Sequence, residues 1–183
     1  KFVCMSNPAM LIFKPEGKAD FERAVAKIKM FALGTLSNPA VNGNFKGIDT
    51  EEEAKEFLLE ILEFGKDFIA MDTEGTALYP RNGYTIGVSI SYKPKHGRYI
   101  SVDAINDENL ALLQRICDTF EIIFHNMKYD MKMLRYHLLL KFNPSRVHDT
   151  IVMHYVLDEN AQHGLKALAL KHTDYGDYDY ELD

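Results

Sequence analysis

The sequence predicts an α/β protein with a mixed central sheet flanked by helices, and three observations predict it. A short, wholly apolar run, Phe68-Ile69-Ala70-Met71, ends on Asp72, which is how a strand buried on both faces reads. Residues 84–92 (YTIGVSISY) alternate with period two, and 98–102 (RYISV) form another short strand pattern. From Asp107 onward, helical periods alternate with short apolar runs, the order that sets strands and crossover helices into layers.

Taken in order, residues 1–18 hold Pro8, Pro15 and Gly17, which break any regular element. Phe21, Val25 and Ile28 carry a helical period over 19–33, and Gly34 suits the cap that closes it. Residues 34–48 are rich in Gly, Asn and Pro and predict a long loop, so a domain boundary is expected there. Residues 1–48 would be a small N-terminal extension and 49–183 the main domain. Asp49 or Thr50 is an N-cap, followed by three glutamates where the helix dipole favours negative charge. That helix runs to Phe64 and buries Phe57, Leu58, Ile61 and Leu62. Lys93-Pro94-Lys95-His96-Gly97 reads as a basic hairpin loop. Asp107 caps a helix to Asp118; Ile122-Ile123-Phe124 is a buried strand; 127–139 is a helix with Met131, Leu134 and Leu138 on one side. A short element at 146–148 leads to a helix capped by Asp149 that buries Ile151, Val152, Tyr155 and Val156. A last helix spans 163–172, and the Asp/Tyr-rich tail from Thr173 reads as irregular.

Bulk composition narrows the function only by exclusion. With 46% hydrophobic and 26% charged residues, the 183-residue chain is globular rather than disordered. A net charge of −6 argues against a protein that lives on phosphate contacts alone. It fits carboxylates that capture metal ions, which then receive a phosphate. Cys4 and Cys117 lack ligand-like spacing and read as free thiols of a reducing, cytoplasmic compartment. No apolar run approaches the ~18 residues a membrane span needs, and the first residues do not read as a signal peptide. Lacking an initiator Met, the chain is expected to be a piece of a longer protein.

Two constellations carry chemistry. Asp72 and Glu74 stand at i and i+2 of a strand, so both carboxylates project from one face at the strand's end, where ligand crevices of α/β sheets lie. Adjacent acids repel and raise one another's pKa unless a cation neutralises them; hard Mg²⁺ or Mn²⁺ would do so. A bare D-x-E is common, and by itself reads more readily as a turn cap beside a solvated acid. The second constellation is His125-Asn126-Met127-Lys128-Tyr129-Asp130, directly after a buried strand. Its structural reading is helix capping by Asn126, with Asp130 favourable near the dipole.

Together, DTEGTALYPRNGYTIGVSIS, FHNMKYDMKMLRYH and HDTIVMHYVLDENAQHGLKALALKH resemble the 3′→5′ proofreading exonuclease domain of A-family (DNA polymerase I type) DNA polymerases. The resemblance covers roughly 67–183 and is greatest to polymerases of large tailed bacteriophages, where YGDYDYELD has near counterparts; NPAMLIFKPE is a weaker likeness. It implies a ribonuclease-H-like (DEDD exonuclease) fold and a two-metal-ion site with two Mg²⁺ or Mn²⁺. Asp72 would bridge both ions, Glu74 would hold the first and orient the attacking water, and Asp130 would hold the second. Leu78 would wedge against the terminal base, Asn126 and Tyr129 would touch the strand, and Lys128 would meet a phosphate. The partners implied are a single-stranded DNA 3′ end or primer-template and the polymerase domain of the same parent chain.

The family pattern also has a third motif, a helix with Tyr-x-x-x-Asp or His-x-x-x-x-Asp. Tyr175 to Asp179 and His172 to Asp177 match the spacings in a tail too rich in Tyr and Asp for the match to count, so the domain is expected to be truncated before that motif. His163, Gly164 and Lys166 match the family in a structural role. Lys93, Lys95 and Arg98 read as a solvated loop, and Asp149 as a helix cap. Two further readings share the motifs: a free-standing DEDD-superfamily exonuclease acting on RNA or DNA, and a non-cleaving single-strand-binding or structural module.

Overall fold

The computed structural model describes residues 7–33 and 43–173. The chain divides into two compact units, Lys1–Val41 and Asn42–Asp183. In the first, a single helical turn α1 (Met10–Phe13) follows Asn7, whose side chain accepts the Ala9 amide at 2.9 Å. Helix α2 (Lys18–Ala32) agrees with the 19–33 expectation.

The second unit is built on six strands: β1 (Asn44–Ile48), β2 (Phe68–Gly75), β3 (Thr85–Lys93), β4 (His96–Ser101), β5 (Glu121–Phe124) and β6 (Val147–Asp149), in spatial order β1-β4-β3-β2-β5-β6. β2, β3 and β4 form an antiparallel meander; β1 joins β4, β5 joins β2 and β6 joins β5 in parallel. The sheet is mixed, as expected. The expected loop over 34–48 gives way at Asn44. Only Ile48 of β1 is buried, so this edge strand is held by backbone pairing to β4 and shows no apolar alternation. The boundary expected at 48 therefore falls earlier, before β1.

Helix α3 (Glu51–Phe64) starts on Thr50, whose hydroxyl accepts the Glu53 amide at 3.3 Å. Helix α4 (Asp107–Thr119) is capped by Asn106 rather than Asp107, with Asn109 donating at 2.9 Å. These helices pack together over one sheet face. Leu58, Ile61, Leu113 and Ile116 join Ile69, Val88, Ile90, Ile100 and Ile122 in the core. Burial on this scale is the main favourable term for a domain of this size. Cys117 lies in the same core, where burial pushes its thiol up to about 12 and leaves it unreactive.

Two expectations of burial fail for one reason. β2 alternates instead of being buried on both faces: Ile69, Met71 and Thr73 are buried, while Phe68 is 54% exposed and Ala70 is exposed. In α6 (Thr150–Leu157), Val152, Tyr155 and Val156 are exposed and only His154 is buried. Among the described residues, nothing covers those surfaces. The basic hairpin is tighter than expected, because His96 is a buried strand residue and the turn is Pro94-Lys95, with Lys95 at φ 60. Helices α5 (Met127–His137) and α7 (Leu165–His172) complete the unit. No helix among the described residues is long and apolar enough to cross a membrane.

Candidate active site

The strand period puts Asp72 and Glu74 on the uncovered face of β2, both exposed, as expected. Their cross-strand neighbours on β3 are Ser89 and Gly87, so small groups flank both acids. A side chain at Gly87 would collide with the Tyr99 ring and the Ile100 carbonyl, so a close approach of β4 requires glycine there. The β2–β3 register shifts between Glu74 and Gly75, and such bulges re-aim side chains at strand ends. Gly75 is itself a contact point, since a Cβ there would meet Met133 and the Tyr129 hydroxyl of α5.

α5 brings the third acid to the edge of the same strand. β5 runs beside β2 only as far as Ala70, and past that point the edge of β2 meets α5 instead. There Asp130 is 1% exposed. The Thr73 amide N–H at 3.0 Å and its hydroxyl at 2.7 Å both donate to Asp130 Oδ1. The residue that grips Asp130 is the one between Asp72 and Glu74. Thr73 was not among the candidate residues of the sequence, because its partner lies 57 residues away.

Electrostatics couples the three acids. Although Asp72 is exposed as a residue, partial desolvation of its carboxyl at the strand end pushes it above the ordinary aspartate range, and the Glu74 charge pushes it further, against the Thr73 amide and His125. Burial raises Asp130 from 3.8 to about 6; the Thr73 hydroxyl opposes this and the Asp72 charge adds to it. Tyr129 is raised by burial, then by Asp130, Glu74 and Asp72. Two of these acids, Asp72 and Asp130, are thus each raised by burial and by a neighbouring carboxylate, which is the setting in which a cation is favoured. Among the described residues, no three His, Cys, Asp or Glu side chains are gathered into a ready metal cage. The donor set still fits a hard divalent ion, because Mg²⁺ keeps several waters and binds through one or two carboxylates plus substrate phosphate.

The start of α5 differs from expectation. Asn126 sits at the cap position in the left-handed conformation (φ 76) and makes no side-chain cap bond. Asp149 does that work, accepting the amides of Asn126 (3.1 Å) and Met127 (3.0 Å), and Ile151 of its own helix α6 at 2.9 Å. The capping role expected of Asp149 therefore extends to two helices. His125 Nδ1 lies 2.7 Å from Thr150 Oγ1, whose proton goes to the Phe124 carbonyl at 3.2 Å. Burial lowers the His125 pKa, while Asp149 and Asp72 raise it.

Around the acids, Leu78 is 80% exposed and is not a core residue. Tyr129 is half-buried and reaches across Gly75 toward the Ala77 carbonyl at 3.4 Å. Asn126 and Lys128 are exposed. Lys93 lies over the Tyr92 ring, 4.6 Å from its centroid, and Arg98 donates to the Asn44 and Gly97 carbonyls. These cations brace β1, β3 and β4. A separate cleft of about 200 Å³ between α3 and β1 is lined by Lys46, Glu53, Phe57, Glu60 and Arg98 and holds none of the candidate acids. Tyr175, Asp177 and Asp179 lie outside the described residues.

A mixed six-stranded sheet ordered in this way, with a helix after the strand that adjoins β2 in parallel, is the ribonuclease-H-like fold. Residues 45–182 match the family described as 3′-5′ exonuclease of A-type DNA polymerases, and the chain belongs to that family. Over its full length it is 41% identical to the DNA polymerase of Escherichia phage T5, covering 22% of that protein. Over 76% of its length it is 33% identical to DNA polymerase I of Borreliella burgdorferi, covering 16% of it. The chain thus spans about a fifth of the length of these relatives. Solved structures share the fold. The catalytic core of RRP6 from Trypanosoma brucei has a TM-score of 0.58 at 21% identity, over 75% of this chain and 36% of that one. Brucella melitensis NrnC with bound Mg²⁺ has 0.52 at 21%, over 70% and 60%.

Proposed function

We propose that this exonuclease domain removes nucleoside monophosphates from DNA 3′ ends, as the proofreading part of a DNA polymerase, with two divalent ions held by Asp72, Glu74 and Asp130. The observation that carries the reading is the paired bond from Thr73 to Asp130, which draws an acid distant in sequence to the strand bearing the other two. Asp72, coupled electrostatically to both other acids, would bridge the ions; Glu74, exposed beside it, would hold the first and orient the attacking water. Bound divalent ions supply an activated water and charge stabilisation for the attacking and leaving oxygens of an in-line displacement. Leu78, exposed and outside the core, would press on a terminal base, and Tyr129 would lie against the next nucleotide. Asn126 and Lys128 supply polar and cationic contacts to the strand. The negative net charge suits this division of labour, since phosphate would be met by the ions rather than by a basic surface.

The polymerase context and the preference for DNA rest on the relatives. The test is a 5′-labelled DNA strand and an RNA strand of the same sequence, each incubated with Mg²⁺ or Mn²⁺ and either this chain or the parent polypeptide. Stepwise 3′ shortening of DNA is expected, with Asp72→Ala slowing it by at least about 10³-fold, the scale on which removal of central catalytic groups acts. Shortening that survives Asp72→Ala would show that the acids are misassigned. Binding without cleavage by both proteins would favour a non-cleaving module, and equal cleavage of RNA a broader exonuclease.

A further inference from the structure

We propose that Thr73 is a positioning residue for metal binding: its hydroxyl, with its own amide, fixes the Asp130 carboxylate so that Oδ2 is presented to the ion. This rests on the reading of Asp130 as a metal ligand. Three features of the geometry lead to it. Both hydrogen bonds from Thr73 fall on one oxygen, Oδ1, at 3.0 and 2.7 Å, so Thr73 holds the carboxylate from one side and spends no bond on Oδ2. Both partners are buried, Thr73 at 4% and Asp130 at 1% exposure, so the contact is shielded from water. A hydroxyl donating to a carboxylate in such surroundings is among the stronger hydrogen bonds available to a protein. Finally, the donor is the residue between the other two acids. The strand's alternation sends Asp72 and Glu74 to the uncovered face and Thr73 to the covered one, so one peptide segment sets the position of all three carboxylates. α5, which carries Asp130, is otherwise referenced to β2 through the contact at Gly75, which controls distance but not the rotation of a carboxylate.

The side chain is suited to this task. Threonine is β-branched, with a restricted χ1 in a strand, so its hydroxyl is held in place at small entropic cost. Valine has nearly the same shape without the hydroxyl. Serine keeps the hydroxyl without the methyl. The amide bond persists in every variant, so substitution removes one of the two bonds and not the whole contact.

The experiment is direct Mn²⁺ binding to this chain, by calorimetric titration, for the unsubstituted protein, Thr73→Val, Thr73→Ser and Asp130→Asn. Thermal unfolding is recorded first, to show that each is folded. Thr73→Val is expected to raise the Mn²⁺ dissociation constant about tenfold, the loss of one charge-assisted hydrogen bond. In the parent polypeptide it should raise the Mn²⁺ concentration for half-maximal cleavage by a similar factor, with the rate at saturating Mn²⁺ changed less. Thr73→Ser is expected to bind within about threefold of the unsubstituted chain. If Thr73→Val does not fold, Thr73→Ala against Thr73→Ser isolates the hydroxyl, since both lack the methyl. If Asp130→Asn weakens Mn²⁺ binding while the variants lacking the hydroxyl bind as tightly as Thr73→Ser, the role of Thr73 is overturned and the carboxylate site stands. If the unsubstituted chain binds no Mn²⁺, or Asp130→Asn binds it unchanged, the metal reading fails and the role of Thr73 fails with it.

Discussion

Burial holds a proton on Asp130 up to about pH 6, against 3.8 for an ordinary aspartate, and the difference acts on stability with a definite sign. The folded chain binds this proton more tightly than the unfolded chain. Its contribution is therefore fully present below 3.8 and is lost as pH rises through about 6. At pH 7.5 without divalent ions, the ionised carboxylate costs the fold up to about 3 kcal/mol. Asp130→Asn keeps an oxygen for the Thr73 bonds and carries no charge. Its metal-free stability relative to the unsubstituted chain should rise between pH 4 and 7.5, by urea denaturation at each pH, while cleavage is lost. A difference that does not change with pH would show that the Asp130 proton is not coupled to folding. The candidate acids were legible in the sequence because D-x-E and a motif after a buried strand are local patterns. Thr73 was not, because a threonine flanked by acids looks the same whether its hydroxyl faces water or a carboxylate brought in from far along the chain.

Asp149 ties β6, α5 and α6 together through three backbone amides. Asp149→Ala leaves the first turns of two helices without their acceptor, and a capping loss costs about 0.5–2 kcal/mol for each helix. A total loss of about 1–4 kcal/mol is expected in urea denaturation, accompanied by weaker metal binding as the start of α5 shifts under Asp130. An unchanged midpoint would mean that water satisfies those amides. Sequence reasoning expected Asp149 to cap its own helix and did so correctly. It assigned the α5 cap to Asn126, the residue in sequence register. The left-handed backbone at Asn126 turns that residue aside, and the acceptor comes from a strand two places along the sheet order from β2. β1 was missed for a related reason: an edge strand with one buried residue is made by its partner and carries no pattern of its own.

For the whole unit, a divalent ion should act as a ligand of the folded state only. At 100 times its dissociation constant, such a ligand adds about 2.7 kcal/mol, so the thermal midpoint should rise with Mg²⁺ or Mn²⁺ and fall back on chelation. No rise in the Asp130→Asn variant, against a clear rise in the unsubstituted chain, would locate the effect. The raised Asp130 pKa also predicts competition between proton and metal. Below about pH 6, the metal concentration needed for half-saturation should climb about tenfold per pH unit, as one bound proton is displaced. A metal requirement that stays flat from pH 8 to pH 5 would mean that the ion is held elsewhere.

The sequence by itself determined the α/β class and the order of most elements, because strand alternation and helical period are written in neighbouring residues; the resemblance of its motifs gave the family and nominated the three acids. Only the tertiary structure decided how β1 closes the sheet edge, which face of β2 stays open, and that Asp149 caps two helices. It also decided that Thr73 joins Asp130 to the strand of Asp72 and Glu74. Each of these depends on a partner far away in the chain, and a hydrogen bond between residues 73 and 130 leaves no periodic trace at either end.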